Sequence, residues 1–275
     1  METKAVAKDV VQFGNPDFWQ EAYDSFPRFW AVIHRAADAL NNVTMKRVYE
    51  NVEPHQKVIL NLGLLSAVSV MELITLVGNG FGLGAMKVAR TLLESAINAE
   101  YLRMFPEECN NYLEWHWVER YKMLEYMRQH MPKEFAQLRS ENIDETKAGF
   151  DEARNRYLRR DGSLMGSWCR LDLGARSAKV GFEEPYKLVY PMGSKLIHGT
   201  FGGLAMHFDA DAEESRIGMP PSPKYCAQAL VGAHGCLIRI VETVSKTFGV
   251  TSSPSVQELL ADYESVWRDS DLSSN

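Results

Sequence analysis

Apolar residues recur with a helical period along most of the chain, and prolines stand at the start of many of these periodic segments. Proline is tolerated in the first turn of a helix, because its missing N–H group would have no intrahelical partner there. The pattern predicts helices near residues 16–50, 54–78, 83–104, 106–130, 132–160, 185–208, 223–248 and 254–268. Alternating patterns bounded by turns are scarce, so an extended sheet is not expected. The sequence therefore predicts an all-α fold, a bundle of about eight helices.

Two stretches interrupt the helical pattern, and neither has the composition of a flexible domain linker. Residues 161–184 contain four glycines and little periodicity, which predicts a long ordered loop before the helix at 185. Residues 209–223 are acidic and then proline-rich, which predicts a surface loop. The prediction is a single helical domain over residues 1–275, with a core at about 54–248 and peripheral helices at 16–50 and 254–268.

The most apolar segment, residues 58–77, is long enough to cross a membrane. It carries Glu72, and an ionised carboxylate is costly in hydrocarbon. We therefore favour a buried core helix over a membrane helix. In such a core Glu72 would need a cation, and Arg90 or Lys87 is the expected partner.

Composition limits the class of protein without identifying it. The chain is 45% hydrophobic, which is enough for a substantial core, and its net charge of −6 argues against a surface that is basic all over. The four cysteines lie far apart without a C-x-x-C pair, so neither a zinc site nor a disulfide scaffold is indicated. Residues 1–19 lack the apolar run of a signal peptide. We expect a cytoplasmic protein with reduced thiols.

The stretch 186–203, YKLVYPMGSKLIHGTFGG, places Tyr186, Tyr190, Ser194 and His198 at every fourth position, which is one ridge of a helix. A hydroxyl and an imidazole one turn apart can face the same cleft, and histidine is suited to proton transfer near neutral pH. In the alternative interpretation, Ser194 bonds to a backbone carbonyl and His198 is a satisfied core histidine.

Helix-weakening residues accompany this ridge. Gly193, Gly199, Gly202 and Gly203 lack side chains, and we expect them to allow close approach of another helix or of a ligand. Pro191 predicts a kink or a late helix start, because it removes a backbone hydrogen bond.

A second polar stripe lies on the helix predicted at 83–104, where Arg90, Glu94, Asn98 and Tyr101 share one face. Arginine before glutamate is the less favourable order for an i,i+4 pair, which weakly favours a partner on another element. The alternatives are a solvated face with one salt bridge, or a purely structural network.

Residues 153–179 form a basic segment with two interleaved aromatic residues, Tyr157 and Trp168. Its basic residues are Arg154, Arg156, Arg159, Arg160, Arg170, Arg176 and Lys179. Arginine with aromatic side chains suits phosphate contact and base stacking, which makes RNA a candidate partner. A solvated basic face is the alternative.

Other kinds of site find less support in the sequence. Ser194 lacks the frame of a serine hydrolase, and the glycines at 78–86 follow no predicted strand, so a phosphate loop is not indicated. Paired E-x-x-H motifs of a dinuclear site are absent. A mononuclear site from Glu94, His116, Glu119 and His198 is the remaining metal alternative. We expect neither a metal nor a cofactor.

The order R-T-L-L-E at 90–94, Y-L at 101–102, G-S-W-C-R-L-D-L at 166–173 and Y-x-x-x-Y-x-x-x-S-x-x-x-H-G at 186–199 resembles a family of bacterial helical proteins catalogued only as a domain of unknown function. The resemblance covers about residues 60–210. It implies a set of signature positions brought together from separate helices: Arg90, Glu94, Trp168, Tyr186, Tyr190, Ser194 and His198.

More distantly, the chain is similar to the HEPN superfamily, whose members are often metal-independent ribonucleases of toxin and phage-defence systems. Their mark is an arginine followed within a few residues by a histidine on one helix. Here Ser194 stands where that arginine is expected, so Arg90 would supply the positive charge from another helix. A literal match from Arg28 to His34 is too loose to carry weight.

These observations favour a cytoplasmic, dimeric ribonuclease that cleaves RNA without a metal ion. No association with a membrane is expected. His198 would be the general acid or base, Arg90 would stabilise the phosphorane and Glu94 would orient either of them, while Ser194 and Tyr190 complete the cleft. The expected substrate-binding residues are Arg154, Arg156, Arg159, Arg160, Trp168, Arg170, Arg176 and Tyr186. The alternatives are a non-catalytic ligand-binding or assembly module with a structural network, and a metal-dependent hydrolase.

Overall fold

The structure is a computed structural model of the chain, and it describes residues 16–45, 49–200 and 224–268. These residues form eleven α-helices and two short 3-10 helices without a β-strand, and one isolated bridge pairs Leu158 with Leu164. The all-α prediction is therefore confirmed, although the described residues already contain more helices than the eight or so expected.

The α-helices are α1 (Pro16–Ser25), α2 (Pro27–Thr44), α3 (Pro54–Gly78), α4 (Gly82–Met104), α5 (Cys109–His130), α6 (Pro132–Phe135), α7 (Ser140–Ala153), α8 (Leu173–Lys179), α9 (Glu183–Ile197), α10 (Cys226–Phe248) and α11 (Val256–Trp267). The 3-10 helices are Pro106–Glu108 and Arg154–Tyr157.

The structure has more helices than predicted for two reasons. A proline divides one predicted helix, and short helices do not stand out in the pattern of apolar residues. The helix predicted at 16–50 is divided at Phe26, because Pro27 has no N–H group to donate and its ring clashes with a helical backbone before it. The helix predicted at 132–160 separates into α6, α7 and a 3-10 turn. The loop predicted at 161–184 contains α8, which begins where the Asp172 carboxylate accepts the Ala175 N–H at 2.7 Å. The surface loop predicted at 209–223 lies outside the described residues.

The chain divides into two compact units. The first comprises residues 1–48, 62–96 and 184–275, and the second comprises residues 49–61 and 97–183. The prediction of a single domain over 1–275 stays a prediction.

In the first unit, the almost wholly buried α10 packs against α2 and α11. Phe29, Ile33, Ala36, Leu40 and Val43 form the buried face of α2, at the spacing of one helical stripe. The terminal helices that were predicted to be peripheral therefore contribute buried side chains to this unit.

Helix α3 is apolar on both faces, but only one face is buried. In the first unit Leu73 and Val77 are buried, whereas Val68 and Met71 are 56% and 62% exposed. Glu72 lies on the exposed face, so the expectation of a buried carboxylate that needs Arg90 or Lys87 is wrong. Within the described residues, α3 is also the one helix whose length and composition would allow it to cross a membrane.

In the second unit, α5 packs along α7. The rings of Tyr121 and Phe150 stack with centroids 3.8 Å apart, and Gly149 leaves room for Trp117, whose ring would lie 2.4 Å from a Cβ at that position. After α7 the chain turns inward, and the buried Tyr157 donates its hydroxyl to the Asn111 carbonyl at 2.8 Å. This contact ties the start of the basic segment to α5.

Candidate functional site

Helices α4 and α9 touch through Gly193. A Cβ built at Gly193 would lie 2.7 Å from the Arg90 Cβ and 3.0 Å from the Met86 carbonyl oxygen, so only glycine fits without movement. The predicted close approach of another helix is therefore confirmed at this glycine. Gly199 has a different role, because it adopts a positive φ of 57° just after α9 and has open space around it. Gly202 and Gly203 lie outside the described residues.

Helix α9 begins at Glu183 and continues through Pro191 to Ile197. The alternative of a late helix start near Pro191 is therefore wrong. The helix ends well before residue 208, the predicted limit, and this earlier end leaves His198 just beyond the last helical residue.

The α4–α9 contact assembles a small polar cluster around Arg90. The Arg90 Nε lies 2.8 Å from Glu94 Oε1 as a close ion pair, and Nη2 donates to the Tyr190 hydroxyl at 3.3 Å. The guanidinium carbon lies 4.6 Å from the Tyr190 ring centroid, and Tyr190 in turn stacks on Tyr186 with centroids 4.7 Å apart. Arg90 thus has both partners that the sequence left open, one on its own helix and one on α9.

This cluster is neither deeply buried nor freely solvated. The Arg90 side chain is 12% exposed, while the Glu94 side chain is 36% exposed. An ion pair in this position is screened less than a surface pair, and the ring beneath the guanidinium adds a cation–π contact. The arrangement fixes the position of a positive charge between two helices.

Ser194 and His198 continue the same helix ridge but do not join the cluster. Ser194 is half-buried, and its carbonyl accepts the His198 N–H at 3.0 Å. His198 is exposed, so the alternative of a satisfied core histidine is wrong. Within the described residues, no hydrogen bond or ion pair joins either side chain to Arg90 or Glu94. The structure presents the imidazole to solvent at the end of α9.

The basic segment lies in the second unit, and most of its arginines are on the surface. The exposed ones are Arg154, Arg156, Arg159, Arg160 and Arg170. Arg156 pairs with Glu114 at 2.5 Å, and Arg154 lies 4.0 Å from Asp151. The interleaved Tyr157 and Trp168 are buried, so a base cannot stack on either ring unless neighbouring side chains move. Arg176 is also buried, over the Trp168 ring.

The described residues do not form the metal site that the sequence left as an alternative. Glu94 and His198 belong to the first unit, whereas His116 and Glu119 lie on α5 in the second. Among residues 16–45, 49–200 and 224–268, no group of three or more His, Cys, Asp or Glu side chains has a metal-binding arrangement.

One groove in the second unit escaped the sequence analysis. It has a volume of about 490 Å³ and is lined by Trp115, Glu119, Lys122, Met123, Tyr126 and Gly166. The Lys122 ammonium lies 4.8 Å from the Trp115 ring centroid and donates to the Met165 carbonyl at 3.3 Å. All but Gly166 lie on one face of α5, and this spacing was the available signal.

Comparison with known proteins gives a family and no activity. No curated protein matches the chain, and no solved structure matches it. One family model, described as a family of unknown function, DUF5677, matches residues 57–215, which is more than half of the 275 residues. That range includes α4, the basic segment and α9. The chain belongs to the DUF5677 family of unknown function.

Proposed function

We propose that the protein cleaves RNA without a metal ion, with His198 as the general acid or base and Arg90 as the cation nearest the reacting phosphate. In this reaction the 2′-hydroxyl of a ribose attacks the adjacent phosphorus, and the 5′-oxygen of the next nucleotide leaves. The 2′-hydroxyl loses a proton to a base, and the leaving 5′-oxygen gains a proton from an acid. His198 carries out one of these transfers and water the other, while a fixed positive charge stabilises the phosphorane.

The observation that carries the proposal is the exposed imidazole at the end of a firmly held helix. His198 follows the last residue of α9, and Gly193, five residues earlier, is in contact with α4. A general acid or base needs both access to substrate and a defined position. The exposure of His198 supports access to substrate, and the packing of α9 supports a defined position for the backbone that carries the imidazole.

The Arg90 cluster supports the proposal through its charge and its rigidity. Glu94 and Tyr190 hold the guanidinium in one orientation, so little reorganisation is needed when negative charge develops nearby. The cluster reaches solvent on the side of Glu94, whose side chain is 36% exposed, and Ser194 and Tyr186 lie on the same ridge of α9 as Tyr190. The exposed arginines of the basic segment would bind the phosphates of the strand.

In this proposal the protein is a cytoplasmic homodimer with a distant relation to the HEPN superfamily. Its departure from the HEPN pattern is Ser194, which occupies the place of the expected arginine. In this proposal the positive charge comes from Arg90 on a separate helix. The close packing at Gly193 supports this role, because it brings Arg90 next to α9.

The test is cleavage of labelled bacterial RNA by the purified protein in EDTA. We expect the parent to cleave and His198→Ala to be inactive, while His34→Ala, which removes an exposed histidine on α2, retains activity. A substrate with a single 2′-deoxyribose at the cleavage site should resist cleavage there. Equal cleavage by the parent and by His198→Ala would exclude this mechanism.

One observation favours a second candidate, a non-catalytic binding or assembly module. Arg90 already interacts with Glu94 and Tyr190, as a structural network between helices would require. In that case Arg90→Met lowers the free energy of unfolding, and no RNA is cleaved by any variant. Removal of the exposed His198 should change stability by less than about 0.5 kcal/mol under either hypothesis, so cleavage and not thermal stability separates the two.

A further inference from the structure

Arg176 is a buried cation that lacks an anionic partner. It lies on α8 in the second unit, is 5% exposed, and its guanidinium carbon is 4.6 Å from the centroid of the Trp168 ring. Its Nε and Nη1 atoms are enclosed and have no hydrogen-bond partner among the described residues. No ion pair with Arg176 occurs in that part of the chain.

An arginine in this position does not escape the cost of burial by losing its proton, because guanidinium stays charged in proteins. A desolvated contact with an indole face recovers about 2 kcal/mol or more, and the uncompensated burial of a charge costs several kcal/mol, so the contact offsets only part of that cost. The most usual solution is a carboxylate or another oxyanion that takes up the unused N–H groups. The site therefore has more hydrogen-bond donors than acceptors.

Two acidic side chains near this cluster already have other partners: Asp172 lies four residues before Arg176, and the charge of Glu108 acts on Tyr101. The Asp172 carboxylate caps α8 by accepting the Ala175 N–H at 2.7 Å. The Glu108 carboxylate accepts the Asn111 amide at 2.8 Å. Among the described residues, neither carboxylate forms an ion pair with Arg176, so the guanidinium keeps N–H groups that no described carboxylate accepts.

The surroundings of Arg176 contain further neutral donors. Trp168 meets Tyr101 and Tyr112 edge-on, at centroid distances of 5.9 and 5.1 Å. Burial raises the pKa of both phenols, and the nearby Arg176 charge only partly opposes this rise. Both rings therefore keep their protons at neutral pH. The Tyr101 hydroxyl accepts the Cys169 thiol at 3.7 Å, which leaves its O–H group as a donor, as is that of Tyr112. Two phenols and one guanidinium on a single aromatic cluster form a pattern suited to an anion.

We propose that Arg176 is the receptor for an oxyanion group, a phosphate or a carboxylate, on a small ligand, with Tyr101 and Tyr112 as accessory donors. The residue is too deeply buried to bind the phosphates of a passing RNA strand, so the ligand is a small anion or a terminal group. This inference is independent of the ribonuclease proposal, because it concerns a site in the second unit that does not require His198 or Arg90.

Titration calorimetry of the full-length protein with inorganic phosphate and with acetate, at an ionic strength held constant with chloride, tests the inference. We expect one saturable site for at least one of these anions, and binding roughly tenfold or more weaker in Arg176→Met. Arg139→Met is the matched control, since it removes an exposed arginine of the second unit that lies outside the basic segment, and it should bind like the parent. A preference for phosphate or for acetate identifies the class of oxyanion.

A variant that fails to fold would lose binding for a trivial reason, so helicity and urea unfolding are measured alongside. Arg176→Lys keeps the charge without the planar fork, and it should fold and bind more weakly than the parent. Saturable binding that is equal in the parent and in a folded Arg176→Met would overturn the assignment. The absence of any saturable phosphate or acetate binding in the parent at millimolar concentration would also overturn it.

Discussion

The backbone of Gly193 rests against the side-chain stem of Arg90, and this contact sets the distance between α4 and α9. A methyl group at residue 193 would lie 2.7 Å from the Arg90 Cβ, which is closer than two carbon atoms can approach. The atom in the way is the Cβ itself, not the end of a flexible chain. The Met86 carbonyl, 3.0 Å away, blocks the other direction.

Gly193→Ala should therefore lower the free energy of unfolding by about 1–3 kcal/mol, the usual cost of forcing an extra carbon into a packed contact. The measurement is urea unfolding followed by circular dichroism. Gly84→Ala on α4 is the matched control, because its new Cβ would lie 3.5 Å from Leu76, an ordinary contact. That control should gain up to about 1 kcal/mol from helix propensity. Equal effects of the two changes would contradict the steric argument.

The Tyr190 ring and its hydroxyl stabilise the Arg90 cluster in separable ways. Tyr190→Phe removes the acceptor of the Nη2 hydrogen bond and keeps the ring beneath the guanidinium, so a loss of about 1 kcal/mol is expected. Tyr190→Ala removes the ring as well and should cost about 2–4 kcal/mol. Thermal unfolding of both variants measures the difference. If the two variants were equally stable, the cation–π contact would contribute nothing.

His234 makes stability depend on pH. It is fully buried on α10, its Nδ1 accepts the Trp267 indole N–H at 3.2 Å, and burial lowers its pKa to about 4 from the usual 6.5. As the pH falls below about 6.5, the unfolded chain takes up a proton that the folded chain refuses, so stability decreases. The decrease ends near pH 4, where the folded histidine also protonates. The total is on the order of 3 kcal/mol.

Unfolding by urea between pH 7 and pH 4 tests this dependence, with His234→Gln as the comparison. The glutamine variant should lack the component of the slope between about pH 6.5 and pH 4, although other groups titrate in both proteins. An identical pH slope in parent and variant would show that His234 is not the group responsible.

The two faces of α3 should respond oppositely to substitution. Leu73 is 0% exposed and Met71 is 62% exposed, although they are two residues apart. Leu73→Ala should cost about 2–5 kcal/mol, whereas Met71→Gln should change the free energy of unfolding by less than about 0.5 kcal/mol. Chemical unfolding of the two variants gives the comparison. A large cost for Met71→Gln would indicate that the exposed face is covered in solution.

Several helix starts were predictable because proline is favoured in the first turn of a helix and disfavoured inside one. Pro54 and Pro132 begin helices as expected, since a first-turn proline loses no hydrogen bond. The close contact at Gly193 was also predictable, because a glycine in a helix has few uses other than proximity. These features depend on local backbone chemistry, which a single sequence records.

Burial was harder to predict where periodicity fails. Glu72 was expected to be buried because its neighbours are apolar, yet α3 is apolar on both faces and its pattern does not show which face meets the core. Trp168 and Arg176 were expected to meet a ligand at the surface, but they lie in a segment with little periodicity, which gives no indication of depth. Tertiary packing decides these cases.

The hydrogen bond from Arg90 to Tyr190 joins residues 100 positions apart. Between them the chain runs through nearly all of the second unit before it returns to the first at residue 184. Closing so long a loop carries an entropic cost that is met only once the distant contacts form, which makes such pairings slow. On a ribosome, α4 must therefore wait until α9 has been synthesised. The candidate site therefore cannot form before the second unit has been synthesised, and the contacts of α2 with α10 and α11 complete the first unit later still.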